Sequence, residues 1–225
     1  MLDLSLDPDL TPDLDLAADD VIASEAELRA RFAAPSQLAR LKQLDRLDRH
    51  CRRFIALSPF LCLATARPDG GADNSPRGDA PGFVHVLDDH HLMIPDRPGN
   101  NRLDSLANIV ANPQVGLLFF VPGITETLRV NGRARLLTRP DLLARFEVRG
   151  RGPKVAILVE VAEAFLHCSK ALIRSRLWAE DAKVDRKVLP TLGRMIADAV
   201  DQQTSAETVA EYDRRIARNI EEELY

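Results

Sequence analysis

Between residues 60 and 165 the chain is a succession of short apolar runs broken by turn residues, and this pattern constrains its fold more than any other feature. Residues 60–66 (FLCLATA) form an apolar run that stops at Pro68-Asp69-Gly70-Gly71, which reads as a strand followed by a tight turn. Residues 82–87 and 92–95 flank Asp88-Asp89-His90-His91 in the outline of a hairpin. A buried strand is expected at 115–121 (VGLLFFV). Residues 125–137 alternate in part and break at Asn131-Gly132, a bulge or tight bend, and 155–165 (VAILVEVAEAF) make the last long strand. One short helix, at 101–111, interrupts the series before Asn112-Pro113. About six strands with so little helix between them predict a mainly β fold, an antiparallel barrel, rather than alternating βαβ units.

Both ends differ from this centre. Residues 1–20 alternate Asp with Leu and Pro, seven of the twenty being Asp, and repelling charges with two prolines favour a flexible acidic tail over a strand. Ser24 with Glu27 forms a capping box that opens a helix ending before Pro35. Ser36 can cap a second helix in which Leu38, Leu41, Leu44, Leu47, Cys51, Phe54 and Ile55 recur at helical spacing until Ser58-Pro59. After Cys168 the helical period returns, with Val188, Leu192, Met195, Ile196 and Ala199 on one stripe and Pro190 near its start. A further capping box at Thr204 to Glu207 precedes Val209, Tyr212, Ile216 and Ile220. The expected divisions are a tail at 1–20, a helical extension at 21–57, a barrel domain at 58–180 and a second extension at 181–225.

Composition narrows the function classes. A net charge of −4 speaks against a general nucleic-acid binder. No apolar run approaches the roughly 18–20 residues that cross a bilayer, and the acidic N-terminus lacks the basic and apolar blocks of a signal peptide. Cys51, Cys62 and Cys168 are odd in number and form no CxxC pair, which suits a reducing cytoplasm. Rossmann, Walker A, H-E-x-x-H and G-x-S-x-G patterns are missing, and the five histidines lack metal-ligand spacing with carboxylates, so no metal site is expected.

Two polar segments lie directly against strands. One is residues 73–79 (DNSPRGD) and the other 94–105 (IPDRPGNNRLDS). In the second, Gly99 permits close backbone approach and a helix is expected to begin one or two residues later, so its free amides could meet a phosphate. Asn100 and Asn101 add neutral donors, Arg97 and Arg102 charged ones, at roughly 1.5–3 kcal/mol per charge-assisted bond. A plain strand-to-helix turn with solvated arginines accounts for the same residues taken alone.

Taken together, FLCLATARPDGGADNSPRGDAPGFVHVLDD, LMIPDRPGNNRLDSLANIVANPQVGLLFFVPG and ETLRVNGRARL cover about residues 58–138, and their order and spacing resemble the FMN-binding split-barrel family that includes pyridoxamine 5′-phosphate oxidase. The likeness is to a bacterial subgroup of FMN-dependent enzymes of that class, and VAILVEVAEAFLHCSKALIRSRLW is similar to its final barrel strand and following helix. The resemblance implies FMN as cofactor and a homodimer with the flavin at the subunit interface. By position it assigns Ser75 and Arg77 to the strand side of the phosphate and Asn101 and Arg102 to the helix side. Pro95 and Asp96 would lie along the ribityl chain or ring edge through backbone groups. Thr127, beside Glu126 and Arg129, would meet the partner's isoalloxazine.

The pattern also departs from the oxidases proper, which read their substrate with an Arg-x-His motif near the C-terminus. Here that region holds Lys170, Arg174, Arg176 and Trp178 and no Arg-x-His, so oxidation of vitamin B6 is not implied. The expectation is an FMN-dependent oxidoreductase acting on an unidentified small molecule, with NAD(P)H as the reductant to test. A non-catalytic module holding FMN or another phosphorylated ligand, as carrier or sensor, is the alternative. No residue stands out as catalytic.

Overall fold

The computed structural model describes residue 17, residues 20–200 and residues 203–225. The acidic tail expected at 1–20 lies almost wholly outside them. The chain forms two compact units, one up to Leu41 and the other from Lys42 to Tyr225. The first holds α1 (Glu25–Arg31), where Ser24 accepts the Glu27 amide as the capping box predicts, and α2 (Gln37–Leu41).

The second unit is built on seven antiparallel strands: β1 (Phe60–Ala66), β2 (Ala72–Gly78), β3 (His85–Val86), β4 (His91–Pro95), β5 (Gln114–Phe120), β6 (Thr127–Leu137) and β7 (Ala156–His167). Their order in the sheet is β2-β1-β5-β6-β7-β4-β3. Alternate residues of five of them, including Leu61 and Leu63, Leu92 and Ile94, Leu117 and Phe119, Leu128 and Val130, and Val159 and Val161, enter one continuous core. Strands from both halves of the sheet therefore curl about a shared interior, the split-barrel fold expected above. α3 (Arg49–Leu57) adds Cys51, Phe54 and Ile55 to the same core. Burial pushes the Cys51 thiol up to about 12.

Three sequence expectations are corrected. The single helix expected from Ser36 to Ile55 is broken, because Leu44 leaves the helical path to exchange backbone hydrogen bonds with Ala164 and Asp48 restarts the helix by capping the His50 and Cys51 amides. Residues 72–78 form a full strand paired with β1, in keeping with the strand-side place given to Ser75 and Arg77; their polarity hides a strand on the edge of the sheet, where Pro76 is tolerated. The central helix, α4 (Asp104–Ala111), begins three residues later than residue 101, since Asn101 and Leu103 both adopt left-handed backbone (φ 57° and 61°). The C-terminal stripe becomes a 3₁₀ turn (Arg186–Val188) and then α7 (Leu192–Val200), after which α8 (Ala206–Glu222) is capped by Ser205, not Thr204. Two short helices, α5 (Pro140–Leu143) and α6 (Lys170–Ser175), complete the unit.

The break foreseen at Asn131-Gly132 is a β-bulge. Gly132 pairs with Val161 and Asn131 with Glu163, so Ala162 is the extra residue on β7. Only glycine fits at 132, because a Cβ there would stand 2.1 Å from the Glu160 carbonyl oxygen. Gly132→Ala is expected to lower stability by about 1–3 kcal/mol through overpacking against backbone that cannot move aside. Urea unfolding checks this, and an unchanged midpoint would show that the strands part freely.

Candidate functional site

Between the edge strand β2 and the loop leaving β4 lies a cleft of about 1100 Å³, slightly above the usual span of small-molecule sites. Residues 73–78 form one wall, 95–106 the other, and 151–155 with Glu223 and Tyr225 close one side. Ser75, Arg77, Pro95, Asp96, Asn101 and Arg102 all line it. Thr127 does not; it stands on β6 opposite His167.

Two largely buried ion pairs tie the walls together. Arg77 Nη1 meets Asp96 Oδ1 at 2.5 Å, and Arg97 Nε meets Asp79 Oδ2 at 2.7 Å. The Arg97 side chain, whose guanidinium was expected to be a free anion donor, is thus committed, since it also donates to the Phe146 carbonyl at 2.8 Å and lies over the Tyr225 ring. Arg77 keeps a donor in reserve: its Nε is buried and among the described residues has no partner. Arg102 sits at the rim, its side chain 73% exposed and joined to Asp104 at 2.8 Å. That contact raises the Arg102 pKa, and an exposed local pair of this kind yields readily to a competing anion.

The helix-side wall is fixed by a buried polar chain that sequence reasoning missed. Asp73 Oδ2 on β2 accepts from Ser105 Oγ (2.8 Å) and Thr65 Oγ1 (3.2 Å), and Thr65 Oγ1 in turn accepts from Asn108 Nδ2 (2.9 Å). Ser105, Asn108 and Thr65 are each almost fully buried, so these bonds replace water and lock the first turn of α4 onto β1 and β2. The only hint in the sequence is that Ser105 and Asn108 fall three apart on one helix face. In front of α4, Asn100 Oδ1 accepts the Arg102 amide while Asn101 and Leu103 turn left-handed. Such a backbone costs a leucine about 1–2 kcal/mol.

Electrostatically the cleft is mildly positive within an acidic protein. Arg77, Arg97, Arg102, Arg151 and Lys154 line it against Asp73, Asp96, Asp104 and Glu223. Arg151 donates to the main-chain oxygens of Glu222 and Tyr225, and among the described residues no side-chain carboxylate pairs with it or with Lys154. At the mouth, Tyr225 donates its hydroxyl to Asp79 at 2.9 Å. Burial alone would raise the Asp79 pKa, but the Ala80 amide, the Tyr225 hydroxyl and the Arg97 guanidinium together hold it below its ordinary 3.8.

A family profile described as pyridoxamine 5′-phosphate oxidase matches residues 47–168, more than half of the sequence. The chain belongs to the pyridoxamine 5′-phosphate oxidase family. The match takes in β1 to β7, α4 and both long walls of the cleft. Solved structures similar to this family member include a candidate pyridoxamine 5′-phosphate oxidase from Lactobacillus delbrueckii, 23% identical over 55% of this chain and 98% of that one, with a TM-score of 0.44. Others are HupZ from Group A Streptococcus (16% identical, 53% and 92% covered, TM-score 0.43) and an FMN-binding protein from Syntrophomonas wolfei (8%, 52% and 88%, 0.39). No curated protein sequence matches the chain.

Beyond the matched region, Lys170 and Arg174 lie on α6, Arg176 pairs with Asp181, and Trp178 donates its indole N–H to the Ile124 carbonyl at 2.8 Å. None of the four lines the cleft. No helix among the described residues is long and apolar enough to cross a membrane.

A carboxylate whose folded pKa is depressed stabilises the fold above its unfolded pKa, and that stabilisation is lost as pH falls through the folded value. Asp79→Asn is therefore expected to flatten the decline of stability as pH drops from 3.8 downward. Denaturant midpoints measured across that range test this, and parallel profiles for the two proteins would remove Asp79 from the account.

Proposed function

We propose that this family member binds FMN in the cleft and works as an FMN-dependent oxidoreductase on a small molecule. The observation that carries the reading is the Arg77 guanidinium, placed in the cleft wall with a buried N–H that no group among the described residues satisfies. An orphaned charged donor is costly unless a ligand completes it, and a phosphate oxygen is the natural acceptor. Ser75 beside it, and Asn101 and Arg102 on the facing turn, supply hydroxyl, amide and guanidinium donors across the same space. Pro95 and Asp96 lie between, where backbone groups can follow a ribityl chain. The residues present fit the cofactor that the family suggests. When bound, the flavin would supply hydride or electron transfer; the chain supplies the grip on its phosphate and the rigid walls.

The same proposal includes a homodimer. Outside the barrel, β1 and β5 present Phe60, Cys62, Ala64, Leu118 and Phe120 in register on one face, with the Phe60 and Phe120 rings 6.1 Å apart and Phe60 39% exposed. An apolar sheet face of this kind suits a second copy. Arg129 pairs with Leu118, so Thr127, two residues away, continues that face. This supports a role for Thr127 toward a partner's flavin, and three unpaired cysteines support a cytoplasmic setting.

Purified protein is expected to be yellow and to release near-stoichiometric FMN on heating; a colourless preparation that takes up no added FMN would defeat the reading. Arg77→Lys, which keeps the charge but loses the Nε donor and the fork, is expected to weaken FMN binding by about tenfold or more, and more than Arg102→Ala does. Fluorescence titration measures both, and unchanged affinities would move the phosphate elsewhere. Bleaching by NADH or NADPH and reoxidation in air would mark an enzyme; a flavin inert to every reductant would mark a carrier or sensor.

A further inference from the structure

A second cluster of positive groups lies on the outer face of β6 and β7, away from the cleft. Beyond the bulge, Thr127 pairs with His167 and Arg129 with Phe165, so these four side chains share one face. Lys42 reaches over the same patch, its ammonium 5.2 Å from the centre of the Phe165 ring, while the Arg129 guanidinium lies 4.5 Å from it. The His167 ring is 4.9 Å from Phe165. Three basic side chains thus converge on one aromatic floor.

Their charges are not balanced from within. Among the described residues neither Arg129 nor Lys42 forms an ion pair; Lys42 donates to the Leu166 carbonyl at 2.8 Å, and the buried Arg129 Nε has no partner at all. The carboxylate one rung away, Glu163, keeps its charge but makes no ion pair with them. Both of its oxygens are instead taken by neutral amides, Asn131 Nδ2 at 2.5 Å and Gln43 Nε2 at 2.5 Å. Burial, Arg129 and Lys42 together depress the His167 pKa, so the imidazole already registers the surplus of positive charge.

We propose that Lys42, Arg129 and His167 form a binding site for the oxyanion group of a small molecule, a carboxylate or a tetrahedral phosphate-like group, with Phe165 beneath it. An incoming oxyanion would meet a guanidinium fork and an ammonium, the two strongest anion donors a protein has, without displacing a carboxylate. The site belongs to one chain, so its existence does not depend on the flavin. Only the step of identifying its ligand as the substrate rests on the reading proposed above, through Thr127 on the same face.

The test follows the five histidine side chains of the full-length protein by nuclear magnetic resonance, with His167→Gln to assign the signal. Sulfate, whose charge is fixed through the titration, represents the tetrahedral class and acetate the planar one; chloride at matched ionic strength controls for screening. The expected result is a saturable shift of His167 alone, with its pKa rising as the bound anion offsets Arg129 and Lys42. A response to sulfate or to acetate supports the proposal and names the class. Arg129→Gln and Lys42→Gln should each weaken that response by about tenfold. The proposal is overturned if neither anion moves His167, if chloride moves it equally, or if both variants bind as the parent does. Because the readout needs no flavin, a colourless protein that still binds sulfate would separate failure of the cofactor reading from failure of this one.

Discussion

Much of this molecule depends on one close approach, that of Gly132 to the backbone of Glu160. Side chains along a strand alternate between faces, so inserting a single residue reverses every assignment beyond it. The extra Ala162 does this on β7: Val159 and Val161 point into the core before it, and Ala164 points in after it, with Leu166 packed against the same core. Without the bulge, Phe165 and His167 would face the interior and Leu166 the solvent. The bend also comes where β6 and β7, the two longest strands, must curve for the sheet to wrap its core. One glycine thus couples the curvature of the barrel to the chemistry displayed on its outside.

The cleft depends on a different device. Its walls are a polar edge strand and a loop, neither of which can hold its shape through apolar packing. Asp73 supplies the missing rigidity by accepting from Ser105 and Thr65, while Arg77–Asp96 and Arg97–Asp79 bridge the gap at two further points. Buried ion pairs seldom add much net stability, but breaking one leaves an uncompensated charge, so they hold geometry well. Pre-set walls spare a ligand the cost of ordering them.

The strands that build the core were legible in the sequence because alternation and turn residues report burial directly, as in residues 60–66 and 115–121. Hidden features shared a different character. Residues 72–78 carry no apolar alternation, since one side of β2 is solvent and the other a polar cleft. The helical spacing of Leu38 to Ile55 continues across the break, and nothing local announces that Leu44 pairs with Ala164, which lies 120 residues further along. Left-handed Leu103 could not be foreseen, because leucine disfavours that conformation and only the docking of α4 imposes it. The candidate site followed the same division. Arg77 and Arg102 were singled out through the order of their segments, whereas the place of Tyr225 arises solely from the fold bringing it to Asp79.

The position of β2 has one more consequence. A strand at the end of a sheet exposes unsatisfied backbone groups that invite another chain to add itself, the first step toward self-pairing and aggregation. Here Pro76 removes a donor from the middle of that strand, and charged cross-links bind its far end to the opposite loop. The cleft along this edge is too tied and too polar to admit an eighth strand, so the recess doubles as a guard against polymerisation.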